Sequence, residues 1–340
     1  MISRTLKAIA LSANGGADNF RQVDMALPWM RPGEVRIKVH AMAFNPIDMQ
    51  IRMGSPAGTP VAEPILGRDL SGTIDAVHDT VHAFRPGDEV YSYICELASS
   101  GAYAEYVSVP EQLVALKPRR LSHEQAASIP VAAITASIAL ERTRADPSRS
   151  LFVIGGAGGV GSFVISLAAQ LGLQRLVTTA GSAASRAYLT NECGLRDEQM
   201  IDYRRGALAD QAISANSGAF DAVIDLVGGS ALSAACRTLA VDGHLASATE
   251  APGSEDFEWL FDRNASFHAI GAHADSLSSD RRHWVRYRDR LDRISQGIDN
   301  GSLRLPRTLN VGRLSVETVK RAHDLLERGV VQGKLVMSCR

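Results

Sequence analysis

Leu151-Phe-Val-Ile-Gly-Gly-Ala-Gly-Gly-Val-Gly161 is an apolar run that breaks into glycines, and Ser162-Phe-Val-Ile-Ser-Leu-Ala-Ala-Gln-Leu171 resumes it. The pattern predicts a strand, a tight turn and a helix. Gly156, Gly158 and Gly161 fall at G-x-G-x-x-G spacing, which lets the turn close, the backbone approach a pyrophosphate and the helix pack on the strand. Phosphates would rest on the helix N-terminus, where unpaired amides and the positive end of the dipole attract an anion without a basic side chain. Glycine-rich turns also follow strands in sheets that bind nothing. The apolar β run before these glycines and the Ala/Leu-rich helix after them supply the context that a dinucleotide fingerprint requires.

From Leu151 onward the rhythm alternates. Leu151–Ile154, Leu176–Thr179, Met200–Tyr203, Phe220–Val227 and His244–Ser247 read as strands separated by helical segments, the signature of a parallel, doubly wound sheet. The first ~120 residues differ. Short strands follow turn signals there: Val35, Ile37 and Val39 after Pro32-Gly33, then Ser71–Val77, Asp88–Ile94 after Pro86-Gly87, and Tyr103–Val109, which together predict a partly closed β domain. Ser122 with Gln125 forms a capping box for a helix, and a second helix follows Pro130. Beyond about residue 266 come a strand at Ser266–Gly271, helices at Asp280–Ile298 and Val316–Glu327, and a closing strand at Gly333–Met337.

Length and composition bound the function. The 340 residues suit two domains, and 45% hydrophobic with 21% charged residues describes an ordinary globular chain. A net charge of −1 offers nothing for nucleic acid or an anionic membrane. The arginines of the 280–298 helix alternate with Asp289 and Asp292, as on a solvated helix face. Met1–Ala10 lacks a leader's long apolar core, and no segment approaches the ~18 apolar residues of a membrane span, so a cytoplasmic location is expected. Cys95, Cys193, Cys236 and Cys339 have neither disulfide-framework nor zinc-knuckle spacing.

Taken with Asn45-Pro-Ile-Asp48, Ile65-Leu-Gly-Arg-Asp-Leu-Ser-Gly72, Phe84-Arg-Pro-Gly-Asp-Glu-Val90, Gly101-Ala-Tyr-Ala-Glu-Tyr106 and Gly333-Lys-Leu335, the chain resembles the medium-chain dehydrogenase/reductase superfamily, and within it the zinc-free quinone oxidoreductase branch. The resemblance covers nearly the whole length. It implies an α/β protein in which residues 1–122 and 267–340 form a β-rich, GroES-like catalytic domain. Residues 123–266 would form a Rossmann-type cofactor domain, with the active site in the cleft between the two. It also implies a homodimer.

Zinc alcohol dehydrogenases of the superfamily carry a Cys near position 45 and a Gly-His-Glu near 67, whereas this chain has Asn45 and Gly67-Arg68-Asp69. The four-cysteine lobe is missing as well, so neither a catalytic nor a structural zinc is expected. Without a Lewis acid, alcohol oxidation gives way to hydride donation to an already electrophilic small molecule.

The region about 20 residues beyond the glycines reads Val177–Arg186 and contains no acid to bind a ribose 2′-hydroxyl. Ser182 and Arg186 suit a 2′-phosphate, and the resemblance places Tyr203 against the same group, so NADPH is expected; an exposed helix charge is the other reading of Arg186. By the same transfer, Gly156, Ala157, Gly158, Gly159, Val160 and Gly161 hold the pyrophosphate. Thr135 and Asn45 lie near the nicotinamide and its ribose. Leu226, Val227, Gly228 and Ser247 line the cofactor, and Gly271, Ala272, His273 and Lys334 approach it from the returning segment. A helix-interior Thr bonding its own turn and a strand-end His are alternatives for Thr135 and His273.

The expected reaction is hydride transfer to a quinone or an α,β-unsaturated carbonyl compound, followed by protonation. Met49 and Gln50 stand where the branch often has a Tyr, leaving Tyr93, Gln50, Asp48 or water as proton donor. Asp48 is equally readable as a turn-capping carboxylate. An enoyl-thioester or alkenal reductase, and a non-catalytic NADPH-binding sensor, are the alternative functions.

Overall fold

The computed structural model describes residues 5–54, 64–95, 98 and 100–339. Residues 1–4, where the segment read for a leader begins, lie outside them. The elements in chain order are β1 (Thr5–Leu11), β2 (Phe20–Ala26), β3 (Glu34–Ala43), α1 (Pro46–Arg52), β4 (Asp69–Val77), β5 (Glu89–Tyr93), β6 (Tyr106–Pro110), β7 (Val114–Leu116), α2 (His123–Ala127) and α3 (Pro130–Arg142). Then come β8 (Leu151–Ile154), α4 (Gly159–Gln170), β9 (Leu176–Thr179), α5 (Ala183–Asn191), β10 (Met200–Ile201), α6 (Leu208–Asn216), β11 (Phe220–Asp225), α7 (Ser230–Thr238), β12 (Leu239–Ser247), α8 (Ser254–Asp262) and β13 (Ser266–Ala269). The chain closes with α9 (Arg281–Asp299), β14 (Thr308–Arg313), α10 (Val316–Glu327) and β15 (Lys334–Ser338).

Two compact units emerge, one of residues 1–131, 273–300 and 308–340, the other of residues 132–272 and 301–307. The boundaries differ from the 122/123 and 266/267 divisions expected from sequence, for local reasons. The His123 imidazole of α2 hydrogen-bonds Ser71 of β4 at 2.8 Å, which ties that helix to the β-rich unit. Strand β13 pairs in parallel with β12, from Ser266↔His244 to Ala269↔Ser247, which keeps it in the helical unit.

The second unit is a six-stranded sheet in the order β10-β9-β8-β11-β12-β13, and every pairing is parallel. Its central strands are continuous apolar runs because both sheet faces are covered: Leu151, Phe152 and Val153 have no exposure. Phe152 stacks on Phe220 with ring centroids 5.1 Å apart, worth about 0.5–1.5 kcal/mol beyond area burial. The sheet order reverses direction at β8/β11, and the carboxyl ends of β8, β11 and β12 fall in line through the pairs Ile154↔Asp225 and Asp225↔Ser247. That is the topological switch point where such sheets bind ligands.

The first unit is built on a seven-stranded sheet, β14-β15-β3-β4-β5-β7 with β6 on β3, together with the β1–β2 hairpin. Strand β3 is its spine. Val35, Ile37 and Val39 alternate into the core as the sequence predicts, and β15 pairs with β3 through Val336↔Ala43, so the chain's last strand reaches the start of α1.

Candidate active site

In the parallel unit, β8 ends at Ile154 and the chain turns through Gly155 at φ +93°, a conformation that favours glycine. The Gly155 amide donates to Thr179 Oγ1 at 2.9 Å, and Gly158 N–H donates to Gly155 O at 3.1 Å. The first bond of α4 runs from Ser162 N–H to Gly158 O at 2.9 Å. The amides of Gly159, Val160 and Gly161 therefore open the helix ahead of its own ladder, aligned with the positive end of the dipole. Close packing leaves no room for a side chain at Gly156 or Gly161. A Cβ on Gly156 would lie 3.0 Å from Thr178 Cβ, and one on Gly161 would lie 2.6 Å from Gly156 Cα. Ala157, Gly158, Gly159 and Val160 are partly exposed along the rim. This cradle fits a pyrophosphate: it offers donors and carries no side chain over them.

Ser182 N-caps α5, its Oγ accepting from Ser185 N–H at 3.0 Å, and it stays half-buried. Tyr203 is 54% exposed, and its ring covers Gly181, where a Cβ would meet the phenol oxygen at 2.7 Å. Arg186, expected at the same phosphate, is engaged by its own surroundings. Its guanidinium pairs with Asp197 and donates to Met200 O at 2.9 Å, because the turn Asp197–Gln199 folds back beside α5. Arg204 and Arg205 are the more exposed cations here, at 59% and 83%, both leaning on Asp202.

At the end of β11 the buried Asp225 organises two further expected segments. It accepts from the Val227 and Gly228 amides at 3.1–3.2 Å, from Ser247 Oγ at 3.2 Å and from Thr249 Oγ1 at 3.1 Å. Val227 projects outward at 58% exposure, while Leu226 is half-buried. Gly271 and Ala272 follow β13 and are half-buried; Thr135 lies inside α3 at 7% exposure. His273 is exposed and starts the next segment of the other unit, its carbonyl accepting from Ser276. A cavity of about 320 Å³ opens elsewhere on the parallel unit, beside Ser162, Tyr188, Cys193 and Arg304. It holds none of the expected cofactor residues, and burial pushes the Cys193 thiol up to about 11.

The β-rich unit contributes a closed polar cluster. Asn45 begins α1, Asp69 begins β4 and Lys334 begins β15, and the β15–β3–β4 pairing brings all three together. Lys334 Nζ donates to Asn45 Oδ1, to Phe44 O at 3.3 Å and to Asp69 Oδ2 at 3.1 Å. Asn45 Nδ2 donates to Asp69 Oδ2 at 2.9 Å, and Asp69 Oδ1 accepts from Val131 N–H at 2.7 Å. Lys334 is 5% exposed, and its ammonium is engaged by Asp69 and Asn45. Asp48 accepts from Asn45 N–H at 2.9 Å and from Gly67 N–H at 3.1 Å, and so caps α1 while bridging to the turn before β4. Tyr93 is 4% exposed, its ring 5.3 Å from that of Tyr287, whereas Gln50 is exposed. Among the described residues, no group of three His, Cys, Asp or Glu side chains comes together that could hold a metal ion.

The alcohol dehydrogenase GroES-like domain matches residues 31–119, and the zinc-binding dehydrogenase domain matches residues 197–337. The mitochondrial NAD(P)H oxidoreductase RTN4IP1 of Danio rerio is 30% identical over 342 residues, covering 92% of this chain and 86% of that protein. The chain belongs to the medium-chain dehydrogenase/reductase superfamily. Within the superfamily it falls in the quinone oxidoreductase-like branch. The quinone oxidoreductase structure from Coxiella burnetii superposes with a TM-score of 0.81 at 28% identity, over 99% of this chain and all of that one. The NADPH-dependent alkenal/one oxidoreductase of Arabidopsis thaliana is 34% identical over 67% of this chain, but the match spans only 58% of that protein's length. Where the resemblance places zinc ligands in other members, this chain has Asn45 and Gly67-Arg68-Asp69, and Asn45 and Asp69 belong to the cluster described above.

Burial pushes the Asp48 carboxyl up to about 6, against the pull of the Asn45 amide. Its folded value lies above the unfolded one, so the folded state keeps a proton that the unfolded chain loses between about pH 4 and pH 6. Stability from this group is therefore present below pH 4 and falls as pH rises through that window, by roughly 3 kcal/mol at most. Asp48→Asn is expected to flatten the pH dependence of urea midpoints between pH 4 and pH 6; an unchanged slope would contradict the assignment.

Proposed function

We propose that the protein is an NADPH-dependent oxidoreductase that reduces a quinone or another α,β-unsaturated carbonyl compound. The observation that carries the reading is the pyrophosphate cradle at Gly156–Gly161, set at the switch point of a parallel sheet. Bound NADPH supplies the hydride. The α4 amides hold its pyrophosphate, Ser182 and Tyr203 face the 2′-phosphate, and Leu226–Gly228, Ser247, Gly271 and Ala272 line the remainder. Asn45, fixed by Lys334 and Asp69, orients the nicotinamide ribose. Of the candidate proton donors, Asp48 has no exposure, Tyr93 is 4% exposed and the exposed Gln50 carboxamide is too weak an acid, so water delivers the proton after hydride transfer.

Among acceptors, activated C=C bonds gain support from two relatives, one named for alkenals and the other, from Solanum lycopersicum, a 2-methylene-furan-3-one reductase. NADPH oxidation by metal-stripped protein with a quinone, an enone and an enoyl-CoA, and NADH as parallel donor, tests the proposal. Turnover of one of these with NADPH is expected, and none despite tight NADPH binding would favour a sensor. An acid at position 182 would repel a 2′-phosphate, and like-charge juxtaposition costs several kcal/mol. Ser182→Asp should therefore lower kcat/KM for NADPH at least about tenfold while sparing NADH. Equal losses with both donors would remove Ser182 from the phosphate site.

A cytoplasmic homodimer belongs to the same proposal. Strand β13 ends the parallel sheet, and Phe257 and Phe261 on the preceding α8 are 48% and 86% exposed, an apolar surface that a second copy would cover. No helix among the described residues is long and apolar enough to cross a membrane.

A further inference from the structure

Behind Asp48 stands a line of buried side chains that the reductase reading does not use. Arg52, the last residue of α1, is 1% exposed; its guanidinium donates to Gly15 O, to the Glu327 carboxylate and, through Nε, to His323 Nδ1 at 3.3 Å. A guanidinium only donates, so His323 Nδ1 is the unprotonated acceptor. His323 has no exposure and sits against the rings of Phe20 and Phe44, at 4.9 and 6.1 Å. Burial first, and the Arg52 charge second, push this imidazole down to about 3. It is therefore neutral at working pH, and its single N–H is on Nε2.

That N–H faces the Tyr103 hydroxyl at 3.3 Å. The hydroxyl accepts from it, leaving its own proton to donate. Asp48 is the acceptor within reach: after burial, its charge and hydrogen bond are what hold the Tyr103 phenol well above its usual range. The Tyr103 ring also lies on Gly67, where a Cβ would come 2.6 Å from ring Cδ1. Tyr103 thus packs on the Gly67 end of the bridge that Asp48 makes between Asn45 and Gly67.

We infer that Arg52, His323 and Tyr103 form a one-directional positioning chain that fixes the Asp48 carboxylate and, through it, Asn45. Each link has one possible polarity: Arg52 Nε–H to His323, His323 Nε2–H to Tyr103, Tyr103 O–H to Asp48. The chain is set at its origin by a group that cannot accept. Its role in turnover rests on the proposed placement of Asn45 beside the nicotinamide ribose, where a displacement of about 1 Å costs up to about a hundredfold in rate.

Nitrogen NMR of the histidine-labelled protein reads the polarity directly, and His323 is expected as a neutral Nε2–H tautomer from pH 5 to pH 8. Kinetics read the consequence. Tyr103→Phe, which removes one oxygen, and His323→Leu should each lower kcat about tenfold with little change in the acceptor KM. His323→Gln keeps an N–H for Tyr103 and should recover most of the loss seen with His323→Leu. An Nδ1–H tautomer, a charged imidazole, wild-type kcat in Tyr103→Phe, or no advantage of Gln over Leu would each overturn the inference. If the histidine variants do not fold, Tyr103→Phe and the tautomer decide. Failure of the unmodified protein to turn over any acceptor would instead sink the reductase reading, and the imidazole signature would still decide the chain.

Discussion

Gly161→Ala is expected to abolish useful NADPH binding and to loosen the parallel unit with it. The new Cβ would lie 2.6 Å from Gly156 Cα and 2.9 Å from Gly155 C, both backbone atoms that cannot rotate away. Relief requires the turn to open, at about 1–3 kcal/mol for overpacking of this kind. An opened turn also swings the Gly159, Val160 and Gly161 amides away from the pyrophosphate, so affinity should drop roughly a hundredfold or more, and the melting temperature should fall as well. Gly158→Ala separates the two effects. Its Cβ meets only Gly155 O, at 3.4 Å, and its backbone φ of −77° suits any residue. That variant should melt like the parent yet bind NADPH more weakly, because its methyl group occupies the approach to the phosphate. Calorimetric binding and thermal melts of both variants test this. Parental affinity in Gly161→Ala would show that the cofactor does not rest on the α4 N-terminus.

Lys334→Met should be the most damaging change in the β-rich unit. The Asp69 carboxylate has no exposure, and burial drives its pKa upward while Lys334 pulls it down. With the ammonium gone, Asp69 keeps the Asn45 amide and the Val131 N–H but faces Asp48 without the cation bonded to it. Breaking a buried pair by deleting one partner costs about 3–5 kcal/mol. The pH dependence has a definite sign. In the variant, the folded pKa of Asp69 lies further above its unfolded value, so stability is lost as pH rises and the deficit is smaller at pH 5 than at pH 8. Adding Asp69→Leu to Lys334→Met removes the orphaned charge and should restore part of the loss, a coupling that a double-mutant cycle in urea measures. A single-variant loss below about 1 kcal/mol at pH 8 would mean the pair is not what holds this cluster.

Much of the fold could be read from local pattern, and particular elements show why. The uninterrupted apolar run at 151–154 and the Ser315-capped helix Val316–Glu327 announce their own ends. Strand β14, Thr308–Arg313, did not: it is a partly exposed sheet-end strand with only Val311 buried, so it lacks a clean alternation. Helix α8 has no clean sequence signature because Phe257, Trp259 and Phe261 leave apolar rings on its outer face and blur the amphipathic stripe.

The glycine turn was legible because its residues are contiguous. The polar cluster was legible only in pieces. Asp69 and Lys334 are 265 positions apart and meet only because β15 lies beside β3 and β3 beside β4. The same holds for Tyr103 and His323, 220 positions apart. Arg186 had suitable spacing for a phosphate, yet Asp197, eleven positions on, returns beside it and takes its charge, a contact no local pattern announces.

Transfer of deuterium from 4-deuterated NADPH tests the central claim most directly. Metal-stripped protein should pass the label to the β-carbon of an enone, giving a product with one deuterium for each NADP⁺ formed. Tight NADPH binding with no label in the enone product and no NADPH oxidation by a quinone would contradict the account and leave a protein that holds the cofactor without spending its hydride.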